Sequence, residues 1–261
     1  MANVTHILYK LLAKACTRER GKEHIKHKGY KEFYTREEAQ TWGKKHFGSI
    51  ADLPELTAFE DGIATDSEKR HSLDYYLGHY HVDINQMLRK SSMLNIVSQR
   101  RKERINKIAA DVEEILENFE IPENIILYRS IVEVKHLHEI CIVDNYANKE
   151  MARKNIVGKW LVYPCFVSTS LCYASLKESF ASDVYLRIRC NKGHNGAYIN
   201  TISKRSDEQE VLLPPNQALF VEKCYINKDG ATIYECTLGD CARDLYNIMF
   251  ERAKKNILLI Y

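Results

Sequence analysis

Three short groups of side chains carry enough functionality to do chemistry. Arg129 sits in an apolar, β-like run, IILYRSI. Ser168-Thr169-Ser170 ends another such run, and Glu208-Gln209-Glu210 opens a third, followed by VLLP. A guanidinium turned into a cleft offers a planar fork that suits a phosphate or a carboxylate. Hydroxyls at a strand end bond nearby backbone groups or orient a neighbouring side chain. Two glutamates at i and i+2 of a strand share a face, about 7 Å apart. Two like charges so placed repel each other. Each group also has a plainer reading: an edge arginine, hydroxyls serving their own backbone, and a solvated acidic edge.

These segments need elements to hold them. The first half reads as helical. Apolar residues recur at helical spacing from Ala2 to about Cys16. Thr35 with Glu38 three residues on is a capping box, which predicts a helix over Arg36 to Phe47. Ala51 to Asp66 holds a proline and a glycine and reads as loop. Further helices are expected over Ser67 to Arg89 and Met93 to Phe119. The second carries Ile105, Ile108, Ala109, Val112, Ile115 and Leu116 on one face and ends before Pro122.

Beyond Pro122 the pattern changes to short β-rich runs: IILYRSI, WLVYPCFVSTS, VYLRIRC, GAYIN, EVLLP, ALFVEKCYI and ATIYECTL. The stretch LCYASLKESF after Ser170 reads as a short loop. A last helix is expected over Asp240 to Ala253. Helices first and strands later imply an α+β fold, with helices packed on an antiparallel or mixed sheet.

Composition sets outer bounds. The 261 residues can bury a substantial core, and 45% hydrophobic with 28% charged residues is ordinary for a globular chain. The net charge of +3 does not by itself call for nucleic acid or an anionic membrane. No apolar run reaches the roughly 18 residues that a spanning helix needs, so no membrane partner is expected. The N-terminus lacks a basic n-region, and Lys10 and Lys14 interrupt its apolar stretch, so it reads as a helix rather than a secretion signal. The eight cysteines show no CxxC pair and no metal spacing, which fits buried free thiols and no metal.

The order and spacing of the three groups change their weight. A strand bearing Arg129, a later strand ending in Ser168-Thr169-Ser170, then Glu208-x-Glu210, resembles the bacterial mono-ADP-ribosyltransferase exoenzymes, including the catalytic chains of binary toxins. EEAQTWGKKHF resembles the family's first catalytic-domain helix with its Ala-x-x-Trp-Gly. LDYYLGHYHVDINQMLR resembles its tyrosine-bearing helix ending Ile-Asn-x-x-Leu-Arg, and NGAYI its Gly-Ala-Tyr strand. The tyrosine spacing to Ile84-Asn85 is about one residue off that pattern.

The resemblance implies the ADP-ribosyltransferase fold, with N-terminal helices packed on a two-sheet mixed or antiparallel β core around an NAD cleft. It places the catalytic domain at 34–238, between a helical, basic extension at 1–33 and a C-terminal helix at 239–261. NAD would serve as co-substrate. Glu210 would stabilise the ribose cation and Arg129 would bind the pyrophosphate and nicotinamide side. Ser168 would hold Glu210, with Thr169 and Ser170 shaping the strand end. Tyr76 and Tyr80 (with Tyr75 an equal candidate), Arg89, Gly196 and Phe180 (or Tyr173) are further candidates around NAD. Glu208 would meet the acceptor, which Glu-x-Glu makes a protein arginine. Lys204 and Arg205 stand where many family toxins carry an aromatic, and this basic tip facing the acceptor points to an acidic or phosphate-bearing partner.

The basic residues of Arg18 to Lys31 and of QRRKER keep a nucleic-acid base open as the acceptor, in a toxin–antitoxin or phage-defence setting. A non-catalytic NAD-fold binding module is the third reading. The expected setting is a toxin or effector, cytoplasmic in its producer or delivered into a target cell without a classical signal peptide. An antitoxin or immunity protein is a possible partner.

Overall fold

The computed structural model describes residues 28–52, 66–89, 98–131, 156–158, 160–203, 207–239 and 257–259. The helices expected over Ala2 to Cys16 and Asp240 to Ala253 lie outside the described residues.

The capping box forms as its residues dictate. Helix α1 spans Arg36–Phe47. Thr35 Oγ1 accepts from the Glu38 N–H at 3.2 Å, and Glu38 Oε2 accepts from the Tyr34 N–H at 3.1 Å. Ala39, Trp42, Gly43 and Phe47 form its buried face. The glycine in mid-helix gives up helix propensity for close approach. A β-carbon at position 43 would stand 2.3 Å from ring carbons of Tyr198.

The second helical region is continuous but not uniform. Helix α2 (Asp66–Tyr75) passes through a π-helical turn, Tyr76–Tyr80, into α3 (His81–Leu88). A π turn holds an extra residue within a helix. It falls at the tyrosines whose spacing to Ile84-Asn85 is about one residue off the expected pattern. Helix α4 (Gln99–Glu117) is capped by Ser98 and buries Ile105, Ile108, Ala109, Val112, Ile115 and Leu116, as its periodicity requires. Asp111 is buried on the same face, where it accepts from Ser72 Oγ at 2.6 Å and from Lys107 Nζ at 3.1 Å.

Nine strands follow: β1 (Ile125–Ser130), β2 (Trp160–Tyr163), β3 (Val167–Ser170), β4 (Val184–Cys190), β5 (Ala197–Tyr198), β6 (Glu210–Leu213), β7 (Gln217–Ile226), β8 (Thr232–Leu238) and β9 (Ile257–Leu259). Their order is β5-β6-β3-β1-β4-β8-β7-β2-β9. The β4–β8 and β2–β9 pairs are parallel and the others antiparallel. β1 and β4 share six paired positions, whereas β1 and β3 share one, Tyr128↔Ser170. The expected two-sheet core therefore takes the form of two wings joined at one seam, and Arg129 and Ser170 sit at that seam.

Three segments differ from the sequence expectation. The run WLVYPCFVSTS is two strands in different parts of the sheet, because Pro164 follows β2 and has no N–H to continue a ladder. LCYASLKESF holds a helix, α5 (Tyr173–Ser179), rather than a loop. Two turns are too short to show helical periodicity in sequence. Residues 257–259 are a strand, not helix, and they cover the outer edge of β2. Cys165, Cys172, Cys190, Cys224 and Cys236 are buried free thiols.

The two faces of the sheet have different interiors. Ile125, Leu127, Leu186, Ile188, Val221 and Cys236 belong to the main apolar core with α1–α4. The alternate residues meet a tyrosine-rich cluster of Tyr128, Tyr185, Tyr225 and Ile233. At its centre lies Arg187, fully buried. Its guanidinium donates to both carboxylate oxygens of Glu235 at 2.9 Å and to Glu32 at 3.0 and 2.8 Å. The Tyr225 hydroxyl donates to Glu235 at 2.9 Å, and that of Tyr128 to Glu32. Residues 30–33 are thereby stitched to the sheet, with Lys31 bridging to Ile125 and Phe33 to Cys172. No helix among the described residues is long and apolar enough to cross a membrane.

Removing one member of a buried ion network leaves its partners charged and unpaired, at a cost of about 3–5 kcal/mol. Arg187→Ala is therefore expected to lower the melting temperature by about 10 °C. A calorimetric shift under about 3 °C would contradict this account of the network.

Candidate functional site

The seam between the wings opens into a cavity of about 280 Å³. Its wall includes Arg129 and Ser130 from β1, Ser168, Thr169 and Ser170 from β3, and Glu208 and Glu210 from the start of β6. Tyr76, His81 and Asn85 close one side, and Phe166, Leu176 and Phe180 supply apolar surface. Segments far apart in sequence meet here because β3 pairs with β1 on one side and β6 on the other.

Arg129 is fixed from two directions. Its Nη1 donates to the Ser168 carbonyl at 2.5 Å, and its guanidinium lies 5.4 Å from the ring centroid of Tyr163. The acidic turn is anchored to β3 through Ser170, whose Oγ donates to the Glu208 carbonyl at 2.6 Å. Ser170 stands directly across from Glu210 in the β3–β6 register. Thr169 Oγ1 donates to the Val211 carbonyl at 2.7 Å.

The two glutamates reach the cavity by a route that strand alternation does not describe. Gln209 has φ +53, a left-handed backbone uncommon for a residue with a side chain. Glu208 lies before the strand and Glu210 is its first residue, so the backward turn at Gln209 presents both to the same cavity. Gln209 itself is fully buried. One guanidinium and two carboxylates thus face a common space.

Of the three candidate tyrosines, Tyr76 lines the cavity. It is 3% exposed and packs edge-on against Phe166 at 4.9 Å. Burial pushes its hydroxyl well up, so the phenol stays protonated. Tyr75 and Tyr80 instead meet edge to face, with centroids 5.4 Å apart, beneath Arg104. Phe180 lines the cavity and also packs against the tyrosine-rich cluster, whereas Tyr173 packs between Tyr128 and Tyr185 and is not among the lining residues. Arg89 is half-buried beside Cys165, with Nε 3.2 Å from Sγ, and is not among the lining residues. Gly196 (φ +152) lies against β6, where a β-carbon would be 2.7 Å from Leu213 Cδ2. Its position serves close packing rather than the cavity wall. Lys204 and Arg205 lie outside the described residues.

Several lining residues carried no assigned role in the sequence. Asn85 follows Ile84 in the tyrosine-bearing helix, and its Nδ2 donates to the Tyr76 hydroxyl at 3.4 Å. Asn85 Oδ1 and Ser130 Oγ are buried and have no hydrogen-bond partner among the described residues. Buried polar atoms are nearly always paired, so two such atoms at one cavity fit a polar ligand. His81 and Ser203 had no distinguishing local signal. Among the described residues, no group of three His, Cys, Asp or Glu side chains could hold a metal.

A family model described as ADP-ribosyltransferase exoenzyme matches residues 39–238. A search of curated proteins returns no significant match. The fold is similar to that of the C3 exoenzyme of Clostridium limosum, with TM-score 0.61 and 22% identity over 81% of this chain and 98% of that one. It is also similar to C3stau2 of S. aureus solved with NAD, with TM-score 0.59 and 18% identity over 82% of this chain and 100% of that one. A third likeness is to BECa of a C. perfringens binary enterotoxin solved with NADH, with TM-score 0.62 and 22% identity, covering 80% of this chain and 50% of that one. At these identities the likeness is one of fold.

A fork with five donors binds a pyrophosphate in a way that a single ammonium does not reproduce. Arg129→Lys is expected to weaken NAD binding about tenfold or more while leaving the melting temperature close to that of the parent. Titration calorimetry with NAD checks this, and an unchanged dissociation constant would remove Arg129 from the binding site.

Proposed function

Because the chain belongs to the ADP-ribosyltransferase exoenzyme family, and is an NAD-dependent mono-ADP-ribosyltransferase, we propose that its acceptor is a protein arginine and that it acts as a toxin or effector. The observation that carries this reading is the placement of Glu208 and Glu210 on either side of Gln209, both facing the cavity that Arg129 lines. A binding module has no need of two carboxylates converging on one space, where they repel each other.

NAD enters as substrate. Arg129 engages its pyrophosphate, with Tyr76, Asn85 and Phe180 supplying the remaining wall. The bond between ribose C1′ and the nicotinamide nitrogen breaks, the bonding pair leaves with nicotinamide, and positive charge develops on the ribose. Glu210 stabilises that charge, as carboxylates do in glycoside cleavage. Ser168 holds Glu210 in place, and Ser170 ties down the turn before it through the Glu208 carbonyl. An arginine guanidinium is a poor nucleophile because it remains protonated at neutral pH. Glu208 orients it and takes its proton as nitrogen attacks C1′. The products are ADP-ribosylated arginine, nicotinamide and one proton.

A second reading keeps the same cleavage but gives the ADP-ribose to a nucleic-acid base. The exposed Arg100, Arg101, Arg104 and Lys107 along α4 favour it, although Arg101 is already paired with Asp83 at 2.5 Å, Lys107 with Asp111 at 3.1 Å, and Arg104 lies over Tyr75 and Tyr80. Such an acceptor would make modification fall steeply with salt.

The test uses labelled NAD, a lysate, and parallel digestion with protease or nuclease. Glu210→Gln is expected to lose at least about 10²-fold in nicotinamide release. Glu208→Ala should keep NAD hydrolysis and lose transfer. Label removed by protease and stable under conditions that spare arginine adducts supports the arginine reading. Label removed by nuclease alone moves the acceptor to nucleic acid, and parallel loss of hydrolysis and transfer in Glu208→Ala sinks its acceptor role.

A further inference from the structure

Glu208 and Glu210 are held by different means. Glu210 belongs to the sheet: it pairs with Ser170 on β3, and its carbonyl accepts from the Ile199 N–H at 3.0 Å on the other side. Glu208 precedes the strand. Its backbone is tied through its carbonyl to Ser170 Oγ, and its direction is set by the left-handed turn at Gln209.

That turn has its own anchor. The Gln209 carbonyl accepts from the Leu171 N–H at 3.0 Å. Its side chain, fully buried, accepts from the Tyr198 hydroxyl at 2.8 Å through Oε1. Tyr198 is fully buried on β5, opposite Val211 of β6, and Asn200 also bonds its hydroxyl. The ring reaches this position by lying against the bare backbone of Gly43, where any β-carbon would collide with it. A non-glycine residue in the left-handed region costs of order 1–3 kcal/mol and persists where its surroundings hold it.

We propose that Tyr198 is a positioning residue for transfer. Its hydroxyl holds Gln209 in the left-handed conformation that brings Glu208 to the cavity, while the sheet holds Glu210 without it. This rests on the reading of Glu208 as the acceptor-side carboxylate. It makes a separation that overall destabilisation would not produce: the step dependent on Glu208 depends on Tyr198, and the step dependent on Glu210 does not.

The experiment follows two products in the same reaction. Nicotinamide release measures NAD cleavage, and label on the small guanidine agmatine measures transfer. In Tyr198→Phe, which loses the bonds to Gln209 and to Asn200, transfer is expected to fall at least about five- to tenfold. NAD hydrolysis and the KM for NAD should stay within about twofold of the parent. Gln209→Ala removes the accepting side chain and leaves the positive φ without that support, so it should show the same split. It also serves if Tyr198→Phe does not fold. The double variant should lose no more transfer than Tyr198→Phe alone, because both substitutions remove the Tyr198–Gln209 bond.

Equal loss of cleavage and transfer, or no loss of either, overturns the proposal, as does additivity in the double variant. The parent protein judges the underlying reading separately. Failure to release nicotinamide would defeat the NAD chemistry. Release without agmatine labelling would defeat the guanidine acceptor, and with it the transfer role given to Tyr198.

Discussion

The placement of β3 between β1 and β6 is the constraint on which the site depends. Arg129, the Ser-Thr-Ser segment and the two glutamates come from parts of the chain separated by about forty residues at each step. They become neighbours because backbone hydrogen bonds set Tyr128 against Ser170 and Ser170 against Glu210. The β1–β3 contact is a single pair, so the wings diverge beyond it and leave a cavity instead of a filled core. A longer ladder at that seam would bring the wings together and close the space.

The walls of the seam are made rigid from behind. On one face, the buried Arg187 joins β1, β4 and β8 with residue 32, through hydrogen-bonded carboxylates on both sides of its guanidinium. Tyr128, the neighbour of Arg129, belongs to that network, so the strand bearing the cavity's guanidinium is fixed by a separate set of charges. On the other face, α1 and β5 support β6 through the contact of Gly43 with Tyr198. Rigid support of this kind suits electrostatic stabilisation, in which fixed charges await a developing charge and need not reorganise during reaction.

Much of this was legible in the residues. The capping box at Thr35 located α1, the apolar stripe of α4 matched its buried face, and the β-rich runs after Pro122 became strands. These are local signals, because helix caps and side-chain periodicity act over a few residues. Failures of local reading have equally physical causes. Pro164 split one apolar run into strands that pair with different partners, and the two turns of α5 are too short to register a period. The spacing near Tyr76 stood out as a mismatch in sequence, but the π turn at that point did not.

The sequence alone determined which chemistry was available: a forked cation, a set of hydroxyls and a pair of carboxylates in an order that resembles one family. Tertiary structure decided which other side chains join them. It chose Tyr76 over Tyr75 and Tyr80, because helical rotation through the π turn aims one ring inward and leaves the others under Arg104. It placed Phe180 at the cavity and Tyr173 between the rings of Tyr128 and Tyr185. It also replaced the expected strand alternation of Glu208 and Glu210 with a left-handed turn. The physical reason is that side-chain direction depends on backbone conformation and on contacts between distant segments. Tyr198 and Gly43, which brace that turn, lie 11 and 166 residues before Gln209.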